Sequence, residues 1–306
     1  MAHQLRLLLA ALRAYTRFPF IRRAPGAKSD DIARAGDALR YLPLAGLLVA
    51  IAQSVVYMLA SIVLPHAVAL LLAIGAGLIL TGACHEVGWV RFCATLGEQP
   101  AARDSDACAT NSTTDHATDS ANRYPTDIAS DSASDSASAN WALPGAIGIM
   151  LLLMLRFESL AHLDADWIAA SLICSATFSR ACAVLGAPRA SATDALIAML
   201  LGAVPLALLA NWTDDHLPGL LGLSIALIST ALVRRLIRRS GALDAGATDK
   251  IGAGFDAATH TATRTATHLG AVQQIAEAGF LIGLLIALEA GPDDTLSTDD
   301  EMDFEQ

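Results

Sequence analysis

PLAGLLVAIAQSVVYMLASIV, residues 43–63, runs for 21 positions without an acid, a base or a histidine. At 1.5 Å of rise per residue such a helix reaches across a hydrocarbon layer ~30 Å thick. HAVALLLAIGAGLILTGAC (66–84) does the same directly after it, and comparable apolar stretches follow at 144–162, 167–187, 195–212, 217–234 and 272–290. The whole chain of 306 residues is 54% hydrophobic and only 16% charged, with mean hydropathy +0.48. Water-soluble domains carry about a quarter charged residues, so that class is excluded. The reading is an all-α polytopic membrane protein of about seven transmembrane helices, with residues 1–292 forming a single helical membrane domain.

Ahead of the first span, HQLRLLLAALRAYTRFPF (3–20) sets Arg6, Arg13 and Arg17 at helical intervals among leucines. That pattern fits a helix lying along the membrane interface, and no small-residue cleavage site precedes Arg22–Arg23. Sidedness follows from the basic residues. With the N-terminus in the cytoplasm, 18 of the 20 lysines and arginines fall in the N-terminal segment or in cytoplasmic loops, and the remaining two, Arg156 and Arg180, lie inside spans. RRLIRR (234–239) anchors the end of the sixth span. The positive-inside rule therefore predicts N-in, C-out and an odd number of crossings.

Two cytoplasmic inserts interrupt the apolar pattern. Residues 101–140 hold seven Asp and eight Ser with no Leu, Val, Met or Phe, too little apolar surface to build a core, and are expected to be disordered. Residues 240–268 are rich in Ala, Thr and Gly and read as a second flexible loop; the acidic tail 293–306 is expected to be solvated and disordered. The net charge of −10 argues against a nucleic-acid partner. Five cysteines with no C-x-x-C pair read as small buried hydrophobes rather than as a disulfide or zinc framework.

Ionisable groups inside a bilayer are costly and point to function by default. Here they are Arg156 and Glu158 in MLRFESL, Arg180 in FSRAC and Glu277 in QQIAEAGF. One reading has the arginines clamp a phosphate or diphosphate through their forked donors. The other has Arg156 and Glu158 snorkel outward or form structural pairs, and Arg180 sit near a helix end. A second candidate is His85–Glu86 in LTGACHEVGWVRFC (80–93), where the second span meets the cytoplasm, itself open to a structural or a catalytic reading. No P-loop, H-E-x-x-H or G-x-S-x-G motif is present.

Taken in order, several segments resemble the bacterial cobalamin synthases, the adenosylcobinamide-GDP ribazoletransferases: LRAYTRFPF (12–20), ALRYLPLAGLLVA (38–50), ILTGACHEVG (79–88), PGAIGIMLLLMLRFESLAHL (144–163), SRACAVL (179–185) and HLGAVQQIAEAGFLIGLL (268–285). The chain departs from the family pattern at Val87, Arg91 and Ala94, where the family carries aspartates, and SASANWAL (136–143) lacks the family's acid and arginine. The family's closing threonine-glycine-aspartate motif aligns either at GATDKIGA (246–253), making Asp249 its acid, or at HLGA (268–271), leaving Thr267 in that place.

The resemblance implies an inner-membrane, magnesium-dependent enzyme that joins adenosylcobinamide-GDP to α-ribazole or its 5′-phosphate and releases GMP. It implies catalytic roles for His85, Glu86, Arg156 and Arg180, with Glu86 and Asp249 on the metal. Its partners would be the corrinoid nucleotide, α-ribazole and membrane lipid, with a homo-oligomer or other B12 assembly enzymes also expected. The missing aspartates keep open an inactive relative that serves as a binding or assembly subunit. A small polytopic transporter is the third class, which would show repeated halves and broken helices; no internal repeat relates residues 43–162 to 167–290.

Overall fold

The structure is a computed structural model that describes residues 2–17, 38–97, 131–185, 187, 190–213, 217–240 and 257–290. Among these residues there are helices and no strands. An N-terminal helix, α1 (Ala2–Tyr15), precedes a short 3-10 turn, Leu39–Tyr41, which leads directly into α2 (Leu42–Ser61). After it come α3 (His66–Thr81), α4 (Cys84–Gly97), α5 (Asp131–Ala161), α6 (Ala165–Val184), α7 (Ala192–Thr213), α8 (Leu217–Ser240) and α9 (Ala257–Glu289). Six of these helices carry a stretch long and apolar enough to cross a membrane, and α3 with α4 makes a seventh if that bent pair counts as one span.

Burial sorts the bundle into centre and rim. In α6 and α9 the most apolar windows are 78% and 72% buried inside the protein, against 28%, 17% and 22% in α5, α7 and α8. Leucines, isoleucines and valines exposed on the rim helices, such as Leu151, Leu200, Leu208, Ile228 and Leu232, face outward, as a bilayer solvent requires. The central helices meet through two apolar clusters, one including Leu160, Ile168, Phe178, Phe280 and Leu284 and the other Val184, Leu269 and Val272.

Hydrophobicity does not drive helices together in lipid, so close approach depends on small residues. α9 illustrates this at both ends. A Cβ on Gly270 would lie 2.5 Å from the His85 carbonyl oxygen and 2.8 Å from the Gly88 Cα, so α4 and α9 cross backbone to backbone. Gly283 meets Gly222 of α8 in the same way, its Cβ falling 2.8 Å from the Gly222 Cα.

Three expectations change. The second span does not run straight through 66–84: it breaks at Gly82–Ala83 and resumes as α4 at 88° to α3. Gly82 (φ 62°) and Ala83 (φ 54°) are both left-handed, a conformation that costs a residue with a Cβ roughly 1–2 kcal/mol. α5 begins at Asp131, inside the stretch expected to be disordered. α9 likewise begins at Ala257, inside the second insert. Residues 101–130, 241–256 and the tail 291–306 lie outside the described residues.

Gly270→Val is expected to destabilise the protein by about 1–3 kcal/mol through overpacking at the α4–α9 crossing, read as thermal unfolding in detergent. Gly75→Ala, which meets nothing within 4 Å, is expected to be neutral in the same measurement.

Candidate functional site

The break in the second span puts a helix start beneath the end of another helix. Where α3 stops, the N–H of Ala83 donates to Leu78 O at 3.0 Å and that of Gly82 to Ile79 O at 3.2 Å, closing the helix in a left-handed cap. The carbonyl of Leu80, left over by the break, accepts from the backbone N–H of Arg17 at 2.6 Å. The segment just after the N-terminal helix therefore satisfies one backbone group that the break leaves over, as a non-helical turn among spanning helices demands. The Arg17 side chain covers Gly82, where a Cβ would meet its guanidinium.

Sequence alone places His85 and Glu86 at an interfacial turn. The structure places them in the first turn of α4, at 3% and 8% exposure, inside the protein. Tyr15 of α1 stacks on His85, ring centroids 6.3 Å apart and 10° from parallel. Burial pushes the Tyr15 phenol above its usual range, with the neighbouring Cys84 adding to the effect, so the ring that covers His85 is neutral across physiological pH. His85 Nε2 is buried without a hydrogen-bond partner. Glu86, a carboxylate at a helix N-terminus, accepts from Gln274 Nε2 of α9 at 2.9 Å through Oε1, while Oε2 is buried and unpartnered.

Beside Glu86 opens a narrow cavity of about 10 Å³, room for about one water, with an open mouth. Its lining comes from five of the spans: Val49 and Gln53 of α2, Gly77 and Thr81 of α3, Arg156 of α5, Arg180 of α6, and Gln273 and Glu277 of α9, together with Glu86. Both arginines predicted from the sequence therefore face one chamber. Arg156 lies 2.8 Å from Glu277 Oε1, with side-chain exposures of 8% and 4%. The contact is close but off the hydrogen-bonding direction, so that Glu277 oxygen is left without a hydrogen-bond partner. Arg180 donates to the Ala176 carbonyl of its own helix at 2.8 Å and forms no ion pair within 4 Å among the described residues. Gly46 makes room for it, since a Cβ there would sit 2.5 Å from the Arg180 Cδ.

Glu158 takes the other course. It is exposed and pairs at 3.8 Å with His162 one turn on, so it belongs to the surface and not to the chamber. Asp249 lies outside the described residues. The sequence reading passed over the amides of Gln53, Gln273 and Gln274, which are 2%, 1% and 2% exposed. Their signal was available: a polar side chain within an otherwise apolar span is itself a costly residue.

The donor set can be tested against a magnesium ion. Glu86 Oε2, Glu277 Oε1 and Gln273 Oε1 are three buried oxygens without hydrogen-bond partners, on residues that line one cavity. Magnesium is commonly held by one or two carboxylates plus substrate phosphates; Glu86 Oε2 and Gln273 Oε1 fit that mode as they stand, and Glu277 Oε1 does so only once the Arg156 guanidinium 2.8 Å away has turned from it. Among the described residues no group of three or more His, Cys, Asp and Glu gathers to form an all-protein metal cage.

A helical membrane protein with a charged chamber at a broken span is the class these features define. Residues 7–105, about a third of the chain, match the family model described as Cobalamin-5-phosphate synthase. An adenosylcobinamide-GDP ribazoletransferase of Shewanella frigidimarina is 39% identical over 85 residues, 28% of this chain and 31% of the relative. One from Shewanella baltica is 38% identical over 82 residues, 27% of this chain and 30% of the relative. The matched part thus spans about a third of the length of these curated relatives. No solved structure matches the chain. His85, Glu86, Gln53 and Gly82 fall within the family match, whereas Arg156, Arg180, Gln273 and Glu277 lie beyond it.

Arg156→Met should leave Glu277 buried and unpaired, lowering stability by about 3–5 kcal/mol, while Arg156→Met with Glu277→Met should recover most of the loss. Thermal unfolding of the two variants checks this.

Proposed function

We propose that the protein is an adenosylcobinamide-GDP ribazoletransferase of the cytoplasmic membrane, with its N-terminus in the cytoplasm, and that the chamber at the broken span receives the diphosphate bridge of the corrinoid nucleotide. The observation that carries the reading is the convergence of Arg156, Arg180 and Glu86 on one cavity beside a segment that matches the family. Positive charge concentrated on the cytoplasmic loops supports the orientation. A corrin ring is far larger than the void, which as it stands has room for about one water and must widen to admit phosphates. The ring would therefore stay at the mouth while the phosphates reach inward.

In the reaction the 5′-hydroxyl of α-ribazole, or of its phosphate, attacks the cobinamide-side phosphorus. The new P–O bond forms as the bond from that phosphorus to the bridging oxygen breaks, and GMP departs with the electron pair. Glu86 Oε2, buried and unpartnered, takes the hydroxyl proton. Gln274 holds the other carboxylate oxygen and so fixes the direction in which Glu86 points. Arg156 and Arg180 offset the charge that grows on the bridging and non-bridging oxygens, an effect enhanced by their removal from water. His85, stacked under Tyr15, positions the first turn of α4 against α9. Magnesium, held by Glu277 and the Gln273 amide oxygen, would supply further neutralisation of the leaving phosphate.

Purified protein given adenosylcobinamide-GDP, α-ribazole and Mg²⁺ is expected to release GMP and form the corrinoid product. Arg180→Ala is expected to lower turnover by about 10²–10³-fold, the usual loss when one donor to a developing oxyanion is removed. Deletion of residues 104–130 is expected to change turnover less than about twofold, a departure small beside the tenfold that 1.4 kcal/mol of barrier represents. Corrinoid binding without GMP release would identify an inactive relative on the same scaffold, consistent with Val87, Arg91 and Ala94 replacing the family's aspartates. Absence of both release and binding would refute the reading.

A further inference from the structure

The chamber is electrically balanced as it stands. Its walls carry two guanidinium groups, Arg156 and Arg180, and two carboxylates, Glu86 and Glu277. A diphosphate bridge adds two negative charges to a space where charges are weakly screened, and Glu277 already occupies Arg156 at 2.8 Å. The two contacts on Arg156 compete, since the guanidinium fork that would grip a phosphate is turned to the Glu277 carboxylate. That carboxylate is poorly aimed: its near oxygen has no hydrogen-bond partner, and Arg156 Nε is likewise buried and unpartnered. The two groups thus form a buried ion pair without an aligned hydrogen bond, which a ligand that re-pairs both of them can part without leaving either charge unpaired. Glu86 differs, because Gln274 fixes one of its oxygens and no arginine contacts it within 4 Å among the described residues.

We infer that Glu277 is an internal counter-anion, a specificity-determining residue that stands in the place of the incoming diphosphate and is displaced from Arg156 when a diphosphate binds. The inference rests on the chamber being the diphosphate site. On displacement the freed carboxylate faces the same space as Glu86 Oε2 and Gln273 Oε1, so an anion arriving without a cation leaves two uncompensated carboxylates in the chamber. Glu277 thereby excludes bare anions and favours a diphosphate accompanied by a divalent ion, coupling the two binding events as linkage requires.

Inorganic pyrophosphate is the probe, titrated calorimetrically into full-length protein in detergent without divalent ions. Glu277→Gln is expected to bind it at least tenfold more tightly than the wild type does. Glu86→Gln, which removes the same charge from the same chamber, is expected to gain less than a third of that. Arg156→Gln with Glu277→Gln is expected to show no gain, since the freed guanidinium is gone. Should Glu277→Gln fold poorly with Arg156 unpaired, pyrophosphate is expected to restore its melting transition, because the anion replaces the lost carboxylate. Equal gains in Glu277→Gln and Glu86→Gln would reduce the effect to net charge and overturn the proposal, as would no gain in Glu277→Gln or no rescue of its melting. These titrations do not depend on turnover. A wild type that releases no GMP, with Glu277→Gln still gaining pyrophosphate affinity, would sink the enzymatic reading alone; active wild type with no gain would sink the role of Glu277 alone.

Discussion

Two guanidinium groups kept out of water impose the main constraint on this molecule. Neither Arg156 nor Arg180 is more than 7% exposed, and both stand where apolar side chains would pack more cheaply. Arg156 is accommodated by Glu277, Arg180 by a carbonyl of its own helix and by the space that Gly46 leaves. The helices that carry their partners, α6 and α9, are the two most deeply enclosed spans. Burial of the charges and burial of those helices are one fact, since a lipid-facing position could satisfy neither arginine.

The broken span follows from the same constraint. A continuous helix through residues 66–97 would carry Glu86 past the chamber, on the axis of α3. Two left-handed residues turn the chain by 88° and point the start of α4 inward, beneath the end of α3. Left-over backbone groups at such a turn need partners, and the segment just after α1 supplies one through the Arg17 N–H. Tyr15, two residues earlier, closes over His85. The interfacial helix is thus joined to the chamber by both a backbone hydrogen bond and a stacked ring.

Much of this architecture was legible from composition and from uninterrupted apolar length. Residues 43–63 could be read as a span without ambiguity, and Arg156 and Arg180 stood out because nothing in an apolar helix explains them. The sharp turn was not legible. Thr-Gly-Ala-Cys offers one glycine, and a left-handed alanine after it has no sequence signal; only packing against Arg17 and α9 fixes it. Glu158 and Glu277 looked alike as acids in spans, yet one reaches the surface beside His162 and the other meets Arg156, a difference set by which face of each helix turns inward. The glutamines escaped notice because an uncharged amide raises less alarm than a charge, although three of them surround or support the chamber. Asp249, chosen from a blurred motif, falls outside the described residues.

The account turns on where a diphosphate sits. Determination of the structure with a non-hydrolysable adenosylcobinamide-GDP analogue bound in lipid nanodiscs addresses this directly. The diphosphate is expected between Arg156 and Arg180, within hydrogen-bonding distance of both guanidinium groups, with the corrin ring at the chamber mouth near Gly82. A diphosphate held elsewhere, for instance against Arg234 and Arg238 at the end of α8, with Arg156 still locked to Glu277, would contradict it.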